Sequence, residues 1–337
     1  MTQTPTPFFG IGAMRAGTTW LSELLDSYRD CRVMPFKELH FFDTRHGKYS
    51  GPKHYRGKPQ RLATLSRGMV KRISAACDKK IHGQTGGDSS SELTVDESEL
   101  GRNSMPWTDE VRGEFFARAK LDDSLLQIEK IVDYFSIRDI ESYARYLRRH
   151  AEDAAAFGEI TPQYALLPAT AFAEMDGLLP GARFIFIMRD PVERLWSQVR
   201  YHADKAAKRG RKQRPINDDF RSALQRKNGI AMSDYKSTVK ELESAVPLDR
   251  ILYLFTETMT SPETGPAEVR RIETALGLNP AEIDATLFST AVNASASAEL
   301  DPESEAEAIR LFAPVYEFVE RRFGCPRQWR SPRIVKR

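Results

Sequence analysis

Cysteine is scarce in this chain: three in 337 residues, at Cys31, Cys77 and Cys325. They are odd in number and far apart, so they make neither a disulfide framework nor the paired spacing of a metal site, and they fit a reducing compartment. Long apolar runs are missing too. No stretch reaches the roughly 18 apolar residues of a membrane span, and the opening MTQTPTPFFGIGAM lacks the basic n-region of a secretory signal. The expectation is a cytoplasmic protein without a transmembrane segment. Neither charge dominates: 50 basic and 47 acidic residues leave +3, too even a balance to point to a nucleic-acid partner. There is no internal repeat. What remains, 41% hydrophobic and 29% charged residues, is the make-up of a globular protein, and the length suffices for one large α/β domain.

Five short apolar runs read as buried strands, at 8–12, 32–34, 156–160, 183–188 and 250–255. Helical patterns lie between them, and this alternation predicts a central parallel sheet of about five strands covered on both faces, a P-loop-like three-layer α/β/α fold. The first helix, over 20–28, puts Trp20, Leu21, Leu24, Leu25 and Tyr28 on one side. A later one starts at Asp190-Pro191, an N-cap followed by the residue favoured at the first helical position, and buries Val192, Leu195, Trp196 and Val199. Near the end, Ile309, Phe312, Tyr316, Val319 and Phe323 repeat at helical spacing, interrupted by Pro314 and stopped by Gly324. Residues 44–140 break the rhythm. With the segment GQTGGDSSS at 83–91, they read as an insertion within a single domain spanning 1–337, serving as a lid or an oligomer contact. Residues 204–216 read as a basic loop, either simply solvated or facing an anionic substrate.

Four constellations carry chemistry. In the first, a strand runs into Gly12-Ala13-Met14-Arg15-Ala16-Gly17-Thr18-Thr19 and then into a helix. The N–H groups of such a loop and the positive end of the helix dipole converge on one anion. Arg15 adds a permanent charge with several donors, and Thr18 and Thr19 add hydroxyls. The spacing is G-x-x-x-x-G, but Thr18 stands where a nucleotide-triphosphate loop needs Lys. In the second, the strand FIFIM delivers Arg189 at its carboxyl end, where ligands bind in open α/β sheets, and Ser197 follows off the apolar face of the next helix. The same residues would also suit an arginine held by Asp190 and a solvated serine. In the third, Lys37-Glu38-Leu39-His40-Phe41-Phe42-Asp43 places Glu38 and His40 on one side of an extended segment, a carboxylate beside an imidazole as general-base chemistry requires. A surface Glu and a half-buried His would look the same. The fourth, Gly158-Glu159-Ile160-Thr161-Pro162-Gln163-Tyr164, ends a strand with polar groups where a pocket is expected.

In this order, the four segments resemble the sulfotransferases that use 3′-phosphoadenosine-5′-phosphosulfate (PAPS). GAMRAGTTW resembles the family's 5′-phosphosulfate loop. FIFIMRDPVERLWSQ resembles its 3′-phosphate motif, in which an Arg and a Ser eight residues later, here Arg189 and Ser197, hold the 3′-phosphate. KELHFFD and GEITPQY resemble the catalytic and substrate-cleft segments of the glycosaminoglycan sulfotransferases. Three departures stand out: the loop cation is Arg15 where most members have Lys, Ile160 replaces a Lys near the substrate, and Thr256 follows the last core strand where an aromatic residue often meets adenine. The basic C-terminal segment that closes over the 3′-phosphate is sought at Val292-Asn293-Ala294-Ser295.

The resemblance implies sulfuryl transfer from PAPS to an acceptor hydroxyl or amine, on a glycan, a glycolipid or a small molecule, with 3′,5′-ADP released. Arg15, Ala16, Gly17, Thr18, Thr19, Trp20, Arg189 and Ser197 would bind the donor, and Arg15, Glu38 and His40 would be catalytic. No metal is expected, because the phosphosulfate anhydride is already activated and an arginine stands where kinases use Mg²⁺. Two alternatives stay open: a P-loop-type nucleotide kinase, and a non-catalytic homologue that binds nucleotide or glycan.

Overall fold

Every one of the five apolar runs forms a strand; the three central ones are buried along consecutive residues, as a sheet covered on both sides requires, and the two edge strands are buried only in part. In the computed structural model they are β1 (Thr6–Gly12), β2 (Cys31–Val33), β3 (Ala156–Ile160), β4 (Arg183–Met188) and β5 (Ile251–Phe255). The structure describes residues 4–34, 38–47, 137, 139–151, 153–208, 210, 214–282, 284–289 and 298–330. The chain divides into two compact units, Met1–Ser50 with Leu147–Arg337, and Gly51–Tyr146. The sheet belongs to the first. The expected insertion over 44–140, its 83–91 segment and Cys77 lie almost wholly outside the described residues, as do 292–295.

The strand order is β2-β3-β1-β4-β5, with all neighbours parallel. The chain leaving β1 runs toward β2 on one side, and the chain leaving β4 runs toward β5 on the other. Adjacent strands with diverging exits open a crevice at their carboxyl ends. The loops that follow β1 and β4 therefore meet, and they carry Arg15 and Arg189.

Among the described residues the α-helices of five or more residues are α1 (Thr18–Asp26), α2 (Phe41–Arg45), α3 (Ile140–Arg149), α4 (Ala169–Leu178), α5 (Pro191–Ala207), α6 (Ile216–Leu224), α7 (Tyr235–Glu243), α8 (Gly265–Leu276), α9 (Pro302–Leu311) and α10 (Ala313–Phe323). One face of the sheet packs on α2, α4, α7 and α10 through ring contacts. Phe9 meets Phe42, Phe184 meets Phe172, Phe186 meets Tyr235, and Tyr253 meets Phe323. On the opposite face α1 and α8 are joined by Tyr28, whose hydroxyl donates to Glu273 at 2.7 Å. Phe8, Phe9, Phe184 and Phe186 are fully buried, each worth roughly 1.5–3 kcal/mol relative to exposure. Burial also pushes the Cys31 thiol up, to about 12, so this cysteine is an inert core residue.

The helix signals act as their chemistry dictates. Asp190 caps α5, its carboxylate accepting from the N–H groups of Val192 and Glu193. The C-terminal apolar pattern is two helices: Pro314 sits in the first turn of α10 and Gly324 ends it at φ 75°. The basic loop expected from 204 begins later, because α5 continues to Ala207; residues 209 and 211–213 lie outside the described residues. Among the described residues no helix is long and apolar enough to cross a membrane.

Candidate functional site

The turn after β1 is held from behind at three successive carbonyls. Arg194 Nη1 donates to the Met14 carbonyl at 3.4 Å, Arg189 Nη1 to that of Arg15 at 3.2 Å, and Thr256 Oγ1 to that of Ala16 at 2.8 Å. Peptide N–H and C=O groups point in opposite directions, so the carbonyls tied back at Met14 and Ala16 turn the N–H groups of Arg15 and Gly17 the other way, while the Ala16 N–H closes the turn on the Ala13 carbonyl at 3.1 Å. Arg15 itself is left-handed, at φ 67°, and Gly17 follows at φ 94°. Alternation of this kind forms a backbone nest for an anion. Gly17 is also the N-cap of α1; no side chain caps that helix end and its first turn holds no acidic residue. The positive end of the α1 dipole is thus open to a ligand charge.

Arg15, Arg189 and Ser197 are brought together. Arg15 Nε donates to Ser197 Oγ at 3.1 Å, and its guanidinium lies 4.9 Å from the centre of the Tyr201 ring, one turn further along α5. Ser197, expected off the apolar face and open to solvent, is instead buried. Burial and the neighbouring Arg189 both lower the pKa of Arg15, the mark of cations crowded where a counter-charge is due. Behind them Arg194 is wholly buried. Besides Met14 it donates to Ser233 Oγ, Gln198 Oε1 and the Gly229 carbonyl, all neutral acceptors, and burial pushes it down to about 10. Ala16 and Thr18 are buried in the same turn, and Trp20 donates Nε1 to the Leu287 carbonyl at 2.9 Å, which fixes α1 rather than facing the crevice. Thr19, the next residue of α1, is the second hydroxyl at this helix end.

Glu38 and His40 form a separate pair beside β3. The Glu38 N–H donates to the Ile160 carbonyl at the end of β3, at 3.2 Å. The segment is not extended as expected. Glu38 and His40 are both left-handed, at φ 63° and 54°, and α2 starts directly after them. Lys37 lies outside the described residues. The side chains still converge: His40 Nε2 is 3.5 Å from Glu38 Oε2, and His40 Nδ1 is 2.8 Å from Asp43 Oδ2. Burial pulls the imidazole down, but the hydrogen bonds and charges of Asp43 and Glu38 outweigh it and push it up to about 9. His40 is then an imidazolium at neutral pH, both ring nitrogens donating, and Glu38 is the member of the pair able to accept a proton. Arg15, Glu38 and His40 are three of the four described non-glycine residues with positive φ, a conformation costing of order 1–3 kcal/mol each and concentrated at functional sites.

The polar groups Glu159, Thr161 and Tyr164 at the end of β3 are tied to one another. Glu159 is buried, accepting from Thr161 Oγ1 at 2.6 Å and from Tyr164 Oη at 2.7 Å. The Tyr164 hydroxyl in turn accepts from the N–H groups of Phe41 and Phe42, which anchors the start of α2 next to His40. Asp43, Arg194 and Tyr164 had no assigned part in the sequence reading. Asp43 was within reach of it, since it lies three residues after His40, on the turn that α2 supplies. Among the described residues no cluster of three or more His, Cys, Asp or Glu side chains has the arrangement of a metal site.

Comparison with known proteins adds to this geometry. Residues 7–282 match the sequence pattern of the Sulfotransferase family. No curated protein sequence matches the chain. The fold matches the crystal structure of a sulfotransferase from Alicyclobacillus acidocaldarius with a TM-score of 0.55 and 18% identity, over 94% of this chain and 95% of that one. The sulfotransferase domain from the curacin biosynthetic pathway gives 0.46 and 11%, covering 93% and 98% of the two chains. Sulfotransferase STF9 from Mycobacterium avium gives 0.44 and 14%, covering 97% and 79%.

Proposed function

Because the chain belongs to the sulfotransferase family, we propose that it moves a sulfuryl group from PAPS to an acceptor hydroxyl or amine, and that the acceptor is a sugar on a glycan or glycolipid. The observation that carries the donor reading is the turn after β1, with its three carbonyls tied backward by Arg194, Arg189 and Thr256 and the uncapped N-terminus of α1 directly after it. The donor set suits a nucleotide with phosphate at two ends. One end would lie at Arg15, the N–H groups of Gly17, Thr18 and Thr19, and the α1 N-terminus, and the other at Arg189 with Ser197. The sugar reading rests on the likeness of the 37–43 segment to glycosaminoglycan sulfotransferases.

In the proposed step Glu38 takes the proton of the acceptor hydroxyl as its oxygen attacks sulfur in line. The bond from sulfur to the bridging oxygen of the 5′-phosphate breaks, and 3′,5′-ADP departs with the electron pair. Arg15 and the first-turn N–H groups offset the charge that grows on that oxygen, an effect of about 3–4 kcal/mol per well-placed donor. His40, held between Asp43 and Glu38, fixes the carboxylate toward the acceptor. Ser197 has a second role here beyond the one read from sequence: it orients Arg15 through Nε, leaving the outer guanidinium nitrogens for the donor.

The test is thermal shift with 3′,5′-ADP, 5′-AMP and ATP–Mg²⁺. A ligand at 100 times its dissociation constant adds about 2.7 kcal/mol. Stabilisation by 3′,5′-ADP above the other two is expected, followed by its release from PAPS with sugar acceptors. Stabilisation by ATP–Mg²⁺ alone would instead favour a kinase.

A further inference from the structure

We infer that Arg330, close to the C-terminus, keeps the proposed 3′-phosphate site charged by drawing Glu193 away from Arg189. The inference rests on the donor reading above. Glu193 lies one helical turn after Arg189, in the first turn of α5, and is the acidic residue paired with it at 3.7 Å; Glu257 also feels the charge of Arg189 but is tied to Trp329 and the Asp190 N–H. The Glu193 carboxylate is shared unequally. Oε2 stands 3.7 Å from Arg189 Nη2, whereas Oε1 is 2.6 Å from Arg330 Nη2.

Arg330 is itself fixed by other partners. Its Nε is 2.6 Å from Glu305 Oε1 on α9, its Nη1 is 3.6 Å from Asp190 Oδ1, and its backbone N–H donates to Asp190 Oδ2 at 2.8 Å. Trp329 anchors the segment: it is buried against Tyr316, Phe255 and Tyr235, and its Nε1 donates to Glu257 Oε2 at 2.7 Å. Glu257 reaches back to the backbone N–H of Asp190 at 3.0 Å. Burial opposes the charge on Arg330, but Glu305, Glu193 and Asp190 outweigh it and raise its pKa, so it stays a cation.

A guanidinium committed to three carboxylates is not a ligand for phosphate. It acts through Glu193. The Glu193 and Arg189 side chains are 32% and 24% exposed, free enough to close the gap between them once Arg330 is removed. An incoming 3′-phosphate would then have to displace a carboxylate from Arg189. Arg330 is thus a positioning residue. It also neutralises Asp190, so the end of α5 beside Arg189 is held without leaving two free acids there.

The experiment is calorimetric titration of the full chain with 3′,5′-ADP and with 5′-AMP, which lacks the 3′-phosphate. Arg330→Gln is expected to weaken 3′,5′-ADP about tenfold, the scale of one partly screened charge contact, and 5′-AMP by no more than about twofold. Adding Glu193→Gln to Arg330→Gln should restore 3′,5′-ADP to within about twofold of the parent, which loss of a merely structural anchor would not permit. Equal losses for both nucleotides, or no recovery in the double variant, would overturn the inference while leaving the donor reading intact. If the unaltered protein failed to prefer 3′,5′-ADP over 5′-AMP, the donor reading would fall and this inference with it.

Discussion

Replacing Asp43 with Asn should weaken the hold of His40 on its proton. His40 Nδ1 lies 2.8 Å from Asp43 Oδ2, with the ring 11% and the carboxylate 0% exposed, so the pair is little screened. The shift from 6.5 to about 9 corresponds to about 3 kcal/mol, at 1.36 kcal/mol per pH unit. The folded value lies above the unfolded one. The stabilisation is therefore complete below pH 6.5 and is lost as pH rises through about 9. In Asp43→Asn Glu38 still opposes burial but the Asp43 charge no longer does, and the imidazole should titrate lower than in the parent. Two readouts check this. NMR should place the His40 titration near 9 in the parent and lower in the variant. Urea unfolding at a series of pH values should show the parent losing about 3 kcal/mol between pH 6.5 and 9, and the variant losing less over the same range. A parent His40 titrating at or below 6.5, or an unchanged pH slope in Asp43→Asn, would refute the reasoning.

Other consequences are simpler. Glu38→Ala should cut turnover about 10²–10⁴-fold, and Arg15→Ala about 10²–10³-fold, with unfolding curves near those of the parent; parent-like turnover in Glu38→Ala would remove it as the base. Tyr164→Phe keeps the ring against Phe42 but removes the hydroxyl that donates to Glu159 and accepts from the Phe41 and Phe42 N–H groups. It should cost about 1–3 kcal/mol and lower kcat while 3′,5′-ADP affinity holds; an equal loss of nucleotide affinity would contradict its place beside His40. Arg194→Met should cost about 2–4 kcal/mol, since the carbonyls of Met14 and Gly229 and the Ser233 hydroxyl lose their donor. It should also weaken 3′,5′-ADP by loosening the turn, so an undiminished affinity would argue against Arg194 as its support.

Much of the fold was legible because it rests on local pattern. Apolar runs bounded by turns gave the strands to within two residues at either end, and the Asp190-Pro191 and Pro314 signals placed helix starts where capping chemistry puts them. The turn from Gly12 to Thr19 was legible for the same reason, since a strand, two glycines and a helix are contiguous. Backbone hand was not. Glu38 and His40 sit in a sequence that reads as extended, and only the Ile160 carbonyl and the Tyr164 anchor explain why both are left-handed. Contacts across the sheet were equally hidden. Arg15 meets Ser197 across 182 positions, and Arg330 meets Glu193 across 137, so a serine off the apolar stripe looked solvated and an arginine near the C-terminus carried no signal.

A crystal structure of the complex with 3′,5′-ADP tests the central claim most directly. The 5′-phosphate is expected at Arg15 and the N–H groups of residues 17–19, with the 3′-phosphate at Arg189. A nucleotide seated elsewhere, with both arginines turned from it, would contradict the account.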